Sequence, residues 1–490
     1  MKTPKSIAVV GGGTAGLVAA LILKKRFPKI KLDLIRSSKI GTIGVGEGST
    51  EHWRDFLNHM DIHPYEMFKN CGATCKCGIL FQNWGVEDYL HSIQDDFDGK
   101  SSQYPYVYAN AISQGLSNKH ITNKHFWNGD VNKFFLKNTD RMPVNQFHFN
   151  TQLLNLYLTD IAQNLGVTFY DDEINDIDLD ENGNIDSIKG NKKRYNYDFY
   201  IDSTGFKRIL IGKMGAKWNS YTEYLRVNSA IVFPLQKKEE SNFWTLARAM
   251  DNGWLFRIPV QGRYGNGYIF DKTYCTPEQA KKEVEEYFGH EVQVAKHIEF
   301  EPGALENVWI KNVCAIGLSA SFVEPLEASS IGTTIQQTFL LMHRLINYNE
   351  KIIDSYNNDC RQILDNIRDF VALHYITPRK DTQFWKAVSK MPLPESLKNK
   401  LEIWKHKMPI REDFCNQSRY ILFRDEHFMF ILHGLGLFDI KSIKNEYNSL
   451  CVLTKNKSDA ILQQNELHQD TIATVKHDEY INFIRDCNAY

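Results

Sequence analysis

Lys76 sits in the stretch "GATCKCGILFQNW" (residues 72–84), flanked by Cys75 and Cys77 and running into Ile79, Leu80 and Phe81. Lysine prefers water. At an apolar boundary it either snorkels its stem along the surface or is held where its amine is needed. A desolvated lysine shifts its pKa readily, which arginine does not, so the second reading offers proton donation or capture of an electrophile. The neighbouring Cys71, Cys75 and Cys77 have none of the usual zinc spacings and no histidine pair to complete them, so no metal is expected there. A second cluster lies at the N-terminus. Gly11, Gly13 and Gly16 in "GGGTAG" follow the apolar run "SIAVV" and open onto "LVAALILKKRF". A strand, a glycine turn and a helix in that order let a pyrophosphate approach the backbone and rest on the helix N-terminus. Thr14 and Ala15 belong to the same turn, and dinucleotide binding is the expected chemistry.

These residues need elements to place them. Residues 6–10 read as a buried strand, 14–26 as an apolar helix with a basic end, and "IKLDLIR" as the second strand. The acid expected to take the ribose hydroxyls is absent: Arg36 stands twenty residues after Gly16, with Asp33 earlier on the strand. Arg36 suits a 2′-phosphate, favouring NADP, or an adenine stack. Residues 40–50, "IGTIGVGEGST", form a glycine-rich loop expected to line the cofactor, Glu47 included. Residues 51–70 read as one amphipathic helix. The chain after 86 reads as a polar, aromatic-bearing insertion and lid. Strands are predicted at 167–170, 174–179, 185–189, 197–202, 227–235 and 254–258. "VWIKNVCAIGLSASFVEPLEASSIG" reads as a buried strand, a turn and a helix start, and the chain beyond 333 as mostly helical.

The glycine turn, Asp202-Ser203-Thr204-Gly205 and "CAIGLSASF" together resemble the flavoprotein monooxygenase plan, an α/β fold with a Rossmann-like FAD module and a second β-sheet. Within it, "GATCKCGILFQNW", "NGWLFRIP", "GNGYIF", "EPLEASSIG" and "RDFVALHYI" resemble the flavin-dependent halogenases of the tryptophan halogenase type, in family order from residue 6 to about 385. The Asn-, Lys- and Ile-rich character resembles viral, marine members, for which a relaxed substrate range is expected.

The resemblance implies that reduced FAD, delivered by a separate flavin reductase, reacts with O2 and halide to give hypohalous acid. This travels to a second site and halogenates an aromatic or heteroaromatic small molecule. Lys76 matches the essential lysine there and Glu327 the glutamate beside it, able to pair with Lys76 and to accept the ring's proton. By family position, Ile174, Leu318 and Ile331 line the FAD. Ser329 and Ser330 fall at the halide site, where the family has Thr-Gly; backbone amides survive that change, but the added side chain restricts the backbone and leaves chloride, bromide and iodide open. In Trp254, Phe256, Ile258 and Pro259 the sequence keeps the flavin-side motif Trp-x-Trp-x-Ile-Pro except for Phe256 in the second Trp place. Asn150 reads as a helix N-cap, and His374 and Tyr375 as buried, satisfied side chains.

The expected division is 1–340, a flavin-binding module with an interleaved substrate-side sheet, and 341–490, a helical module completing the substrate site. At 490 residues, two or three modules are in order. The net charge of −1 gives no reason for nucleic acid or an anionic membrane as partner. No run of eighteen apolar residues occurs, and the N-terminal apolar run is too short for a signal peptide. Nine cysteines without a secretory signal read as free thiols in a reducing, cytoplasmic setting. Homo-oligomerisation is left open. Two other readings compete: a single-component flavin monooxygenase that hydroxylates, and a non-catalytic flavin-binding protein.

Overall fold

The computed structural model describes residues 2–41, 47–92, 104–122, 124–139, 141–471 and 473–487. Its first sheet is built from the predicted glycine-turn unit. Ser6–Val10 pairs in parallel with Lys31–Arg36 on one side and with Phe199–Asp202 on the other. Thr168–Asp171 and Val313–Ala315 extend this sheet in parallel, and Trp309–Ile310 closes one edge antiparallel. Ile7, Ala8, Val9 and Leu34 are fully buried, as strands covered on both faces require. The helix Thr14–Arg26 buries every residue from Gly16 to Leu23 and ends in Lys24, Lys25 and Arg26, charges that suit a helix C-terminus.

The second sheet has seven strands, in the order 296–299, 229–236, 263–270, 253–260, 244–249, 78–82, 89–92. It is antiparallel except where Trp244–Ala249 runs parallel to Gly78–Gln82. Strand Gly253–Val260 separates two cores. Trp254, Phe256 and Ile258 face the main core, while Leu255 packs with Ile231, Phe233 and Tyr268 in a smaller one, the period-2 alternation of a strand covered on both sides. A third, three-stranded sheet joins Glu47–Gly48, Gln146–Phe149 and Thr74–Lys76.

Two expectations change. Residues 51–70 form two helices, His52–Met60 and Tyr65–Asn70, because Asp61 turns left-handed (φ 56°) and Pro64 opens the second. The stretch after 86 is not all insertion. Tyr89–Ser92 is a fully buried edge strand and Tyr104–Gln114 a helix, whereas 93–103 of the expected lid and 42–46 of the glycine-rich loop lie outside the described residues.

From Ser329 onward the chain is helical: Ser329–Arg344, Glu350–His374, Gln383–Val388, Glu395–Trp404, Asp425–Gly434, Ile440–Ser449, Val452–Thr471 and His477–Asp486. These helices return to earlier elements. Ile440–Ser449 and Val452–Thr471 pack on Tyr104–Gln114, Asp425–Gly434 packs on Tyr89–Ser92, and Thr474–Lys476 pairs with Asp130–Asn132.

Candidate active site

The three glycines of the N-terminal turn differ in what surrounds them. Gly11 has φ +116°, and a Cβ there would stand 2.2 Å from the Ser203 carbonyl oxygen. A Cβ on Gly16 would stand 2.1 Å from the Gly11 carbonyl oxygen. Both therefore serve the turn and the close seat of helix on strand. A Cβ on Gly13 meets no protein atom within 4 Å. Gly13 caps the helix without a side-chain bond, and no acidic residue lies in the first turn. The helix start thus offers backbone amides and positive dipole toward open space, which fits a pyrophosphate.

Asp202 staples this turn to the rest of the chain. Its buried carboxylate accepts bonds from the amides of Thr204, Leu210 and Ile211 and from the hydroxyls of Thr204 and Ser319. Ser203 Oγ donates to the Val10 and Gly11 carbonyls. The late turn Gly317–Ser319, which carries Leu318, closes so tightly that a Cβ on Gly317 would reach Ala15 Cβ at 2.5 Å. Thr14 Oγ1 bonds Asn155 Oδ1 at 2.9 Å.

Asp33 is no ribose ligand here. It is buried and accepts from the Tyr197 hydroxyl. Arg36 lays its stem against Gly12, donates to Thr159 Oγ1 at 3.3 Å and sets its guanidinium 5.0 Å from the centre of the Phe169 ring. Ile174 is buried at the start of its strand, two residues after Asp172, whose amide bonds the Arg36 carbonyl. Burial pushes the Glu47 carboxyl up to about 7.

Lys76 ends the strand Thr74–Lys76, with only 2% of its surface exposed. Snorkelling is thereby excluded. Its Nζ donates to the Ser49 carbonyl at 2.6 Å, and its stem lies beside Gly48, where a Cβ would stand 3.4 Å from Lys76 Cδ and 3.5 Å from Ala328 Cβ. Burial lowers the amine to about 8 against the raising fields of Glu327 and Glu51. The strand is clamped from the far end of the chain: the Cys75 amide donates to His477 Nε2 at 3.1 Å, and the His477 ring stacks on Phe243 at 4.1 Å.

Glu327 lies in the 3-10 turn Pro325–Glu327, equally buried, but its ion pairs are not with Lys76. His91 Nδ1 stands 2.9 Å from one carboxylate oxygen and His374 Nε2 2.7 Å from the other. Burial alone would raise this carboxyl; the two histidines outweigh it and hold it far below the usual carboxylate range. Sequence reasoning passed over His91, inside the supposed insertion, and took His374 as a bland core residue. Its spacing does carry a signal: helix residues 370 and 374 share a face, and His374 Nδ1 bonds the Phe370 carbonyl at 2.8 Å.

The helix Ser329–Arg344 starts directly after Glu327. Its N-cap, Ala328, is left-handed (φ 51°) and makes no side-chain cap bond, so no capping side chain occupies the first-turn amides; Ser329 is buried and Ser330 exposed. Ile331 lies in that first turn, and the helix packs along Thr14–Arg26, so one element links the two centres. Trp254 and Phe256 are buried on the second sheet, and a Cβ on Gly267 opposite would strike the Phe256 ring at 2.4 Å. Beside Trp254, the Tyr375 hydroxyl donates to Glu324 at 2.8 Å, and burial pushes that carboxyl up to about 8. Asn150 caps its helix by accepting from the Gln152 and Leu153 amides, as expected. Among the described residues no group of three His, Cys, Asp or Glu is placed to hold a metal, and no helix is long and apolar enough to cross a membrane.

The glycine-turn sheet, the second sheet and the buried cluster around Lys76 and Glu327 sit in a fold shared with flavin-dependent halogenases. The tryptophan halogenase family model matches residues 6–444, and the chain belongs to that family, whose members are flavin-dependent oxidoreductases. The match passes residue 385, where the sequence motifs stop. The chain is 29% identical over 456 residues to the tryptophan 6-halogenase SttH of Streptomyces toxytricini, covering 84% of this chain and 86% of that one. It is 30% identical over 459 residues to the 7-chloro-L-tryptophan 6-halogenase KtzR of Kutzneria sp., covering 83% and 86%. The solved structure of Xcc4156, a flavin-dependent halogenase from Xanthomonas campestris, superposes with a TM-score of 0.86 at 25% identity over 98% of both chains.

Proposed function

We propose that this chain is an FADH2-dependent halogenase that acts on a free aromatic or heteroaromatic small molecule. The observation that carries this reading is the buried Lys76 amine lying within the field of the buried Glu327, on elements separate from the glycine turn. When bound, FADH2 would supply, with O2 and halide, an oxidised halogen in the form of hypohalous acid. The amides around Gly13, Thr14, Ala15 and Gly16 would hold its pyrophosphate. Leu318 and Ile331 would line the far end, with Glu47 and Ile174 on the remaining wall. The amides of Ser329 and Ser330 would hold the halide. Trp254, Phe256, Ile258 and Pro259 would keep the arene from the flavin side.

Lys76 would donate a proton to the oxygen of hypohalous acid, making the halogen more electrophilic; at neutral pH an amine near 8 is mostly ammonium. Glu327, held anionic by His91 and His374, would stabilise the positive ring formed on halogen addition and take up its proton. A separate reductase would deliver the flavin. The helices of 341–490 would complete the substrate site: His374 and His427 both come from that part and reach the Glu327 cluster.

The names of the relatives SttH and KtzR specify tryptophan. Phe256 in place of the second Trp motivates a looser pocket here, with several indoles, phenols or anilines turned over and free tryptophan poor. The test is purified protein with a flavin reductase, a halide and an indole panel, followed by mass spectrometry. Halogenated product supports the reading. Hydroxylated product driven by NADPH in this chain alone would replace it with the single-component monooxygenase. Free tryptophan turning over far better than simple indoles would sink the relaxed-range part alone.

A further inference from the structure

Glu327 is buried on all sides, yet a line of side chains runs from it to solvent. His91 Nδ1 lies 2.9 Å from Glu327 Oε2, and His91 Nε2 lies 3.4 Å from His427 Nδ1. His427 Nε2 in turn stands 3.9 Å from a carboxylate oxygen of Glu51 and 3.9 Å from one of Glu426. Along this line side-chain exposure is 1% at Glu327, 0% at His91 and 3% at His427, and then 23% at Glu51 and 35% at Glu426. Four separate elements contribute: the Pro325–Glu327 turn, the strand Tyr89–Ser92, the helix Asp425–Gly434 and the start of the helix at His52.

His374 cannot serve as the exit. Its Nδ1 faces the Phe370 carbonyl, which only accepts, so Nδ1 carries a hydrogen permanently and the ring has one exchangeable position, the one already against Glu327. His91 and His427 differ: each presents both ring nitrogens to a titratable neighbour. Other charged groups around the line, among the described residues, include Lys76, whose amine feels both Glu327 and Glu51, His52, whose Nδ1 lies 3.5 Å from Glu51 and 3.0 Å from Thr50 Oγ1, and Asp425, whose carboxyl feels Glu426.

We propose that His91 and His427 are a proton relay that carries the proton released by the arene from Glu327 to the half-buried Glu51, next to solvent. The inference rests on the halogenase reading. Glu327 takes the ring's proton on one oxygen. That proton passes to His91 Nδ1 while the hydrogen on His91 Nε2 passes to His427 Nδ1; the hydrogen on His427 Nε2 reaches Glu51 by way of a water, since 3.9 Å is too long for a direct hydrogen bond. Each bond to hydrogen broken is matched by one formed, one proton has moved outward, and water removes it from Glu51. Burial works with this direction, because it disfavours an imidazolium at His427 and so keeps the proton from resting there. The event leaves hydrogen on Nδ1 of both rings, that of His91 now donating toward Glu327; the rings turn over or exchange these hydrogens before the line carries the next proton.

The test is a rapid-mixing experiment on the full chain with reduced flavin, halide and an indole, comparing wild type with His427→Gly and with the double variant Glu51→Gln/Glu426→Gln. A cut relay leaves Glu327 protonated after one event. His427→Gly is expected to give one product equivalent per site at the wild-type rate, then a phase slowed about 10-fold or more, as for loss of one proton-transfer partner. Added imidazole should restore that slow phase. The double variant, which leaves the core packing intact, should show the same biphasic course with a smaller slowing. Flavin binding and flavin oxidation should be unchanged in both. Multiple turnovers at the wild-type rate in both variants would overturn the relay while leaving the halogenase reading standing. A uniform slowing from the first event, insensitive to imidazole, would make His427 a packing residue and also overturn it. Wild-type protein that halogenates no arene would instead remove the reading beneath it.

Discussion

The glycine turn and the lysine chamber are assembled in opposite ways. At the turn, Gly11 to Gly16 belong to one short segment, and their partners at Ser203 and Gly317 sit at the ends of strands in the same parallel sheet. The chamber collects Ser49, Lys76, His91, Glu327, His374 and His427 from six stretches of chain. The turn works through backbone, so its specificity is steric. The chamber works through charges that burial keeps apart from water. Damage to the first should therefore cost binding or folding, and damage to the second should cost chemistry alone.

The sharpest test of that contrast is Lys76→Ala. Arene halogenation should fall at least about 10³-fold, the upper half of the range for one proton-transfer group reinforced by lost charge stabilisation. Oxidation of reduced flavin by O2 should persist, so product per flavin oxidised is the quantity to measure. Lys76→Arg should fail nearly as badly, since a planar fork does not fit a site built around one 2.6 Å donor bond. Halogenation at the wild-type rate in Lys76→Ala would leave the chamber without its centre.

The turn is tested by two glycines with different surroundings. Gly13→Val adds carbon only to open space, so the protein should fold normally and lose at least about 10²-fold in FAD affinity, the order expected when the backbone can no longer approach the pyrophosphate. Gly16→Val drives its Cβ into the Gly11 carbonyl and should lower stability by about 1–3 kcal/mol or more, read by thermal melting before any ligand is added. Equal melting temperatures for the two variants would contradict this division of roles.

Glu327→Gln comes next. The amide keeps the shape but cannot accept a proton or hold two histidines by charge, so halogenation should fall about 10²-fold, the lower range for one acid–base group. Lys76 should respond as well: without the raising field of Glu327 its amine should titrate below about 8, and the alkaline limb of the rate–pH profile should move to lower pH.

How much of this could be read beforehand follows from the same contrast. The turn and the strands 6–10, 30–36 and 167–170 were legible because each is a local pattern of apolar periodicity and glycine spacing, whereas Asp202 to Gly205 took its meaning from the resemblance. Lys76 was legible as an oddity, a lysine in an apolar run, and its company only through resemblance. His91 was hidden because "YLHS" is short and polar-flanked, and its burial comes from the neighbouring strand Gly78–Gln82 and the helix Asp425–Gly434. The pairing of Glu327 with two histidines rather than with Lys76 depends on contacts 47 and 236 residues apart in sequence, for which no local spacing speaks. The break at Asp61 was missed because a left-handed residue other than glycine leaves little mark in sequence.

Glu324 gives the smallest effect and sharpens the contrast from the chamber's margin. It is buried beside Trp254 and Tyr375, and burial raises it from its ordinary range near 4.5 to about 8. The folded protein therefore keeps this carboxyl protonated at neutral pH, where the unfolded chain has released the proton. Between pH 4.5 and 8 the folded state binds more protons, so this group's contribution to stability is full below about 4.5 and is lost as pH rises toward 8. The slope from one such group is at most about 1.4 kcal/mol per pH unit. Glu324→Gln keeps an acceptor for the Tyr375 hydroxyl and removes the titration. Its melting temperature should fall less steeply than that of the wild type between pH 6 and 8, with halogenation changed only slightly. Parallel melting curves across that range would mean the carboxyl is ionised in the fold, and a negative charge would then have to be counted among those that Trp254 and Tyr375 enclose.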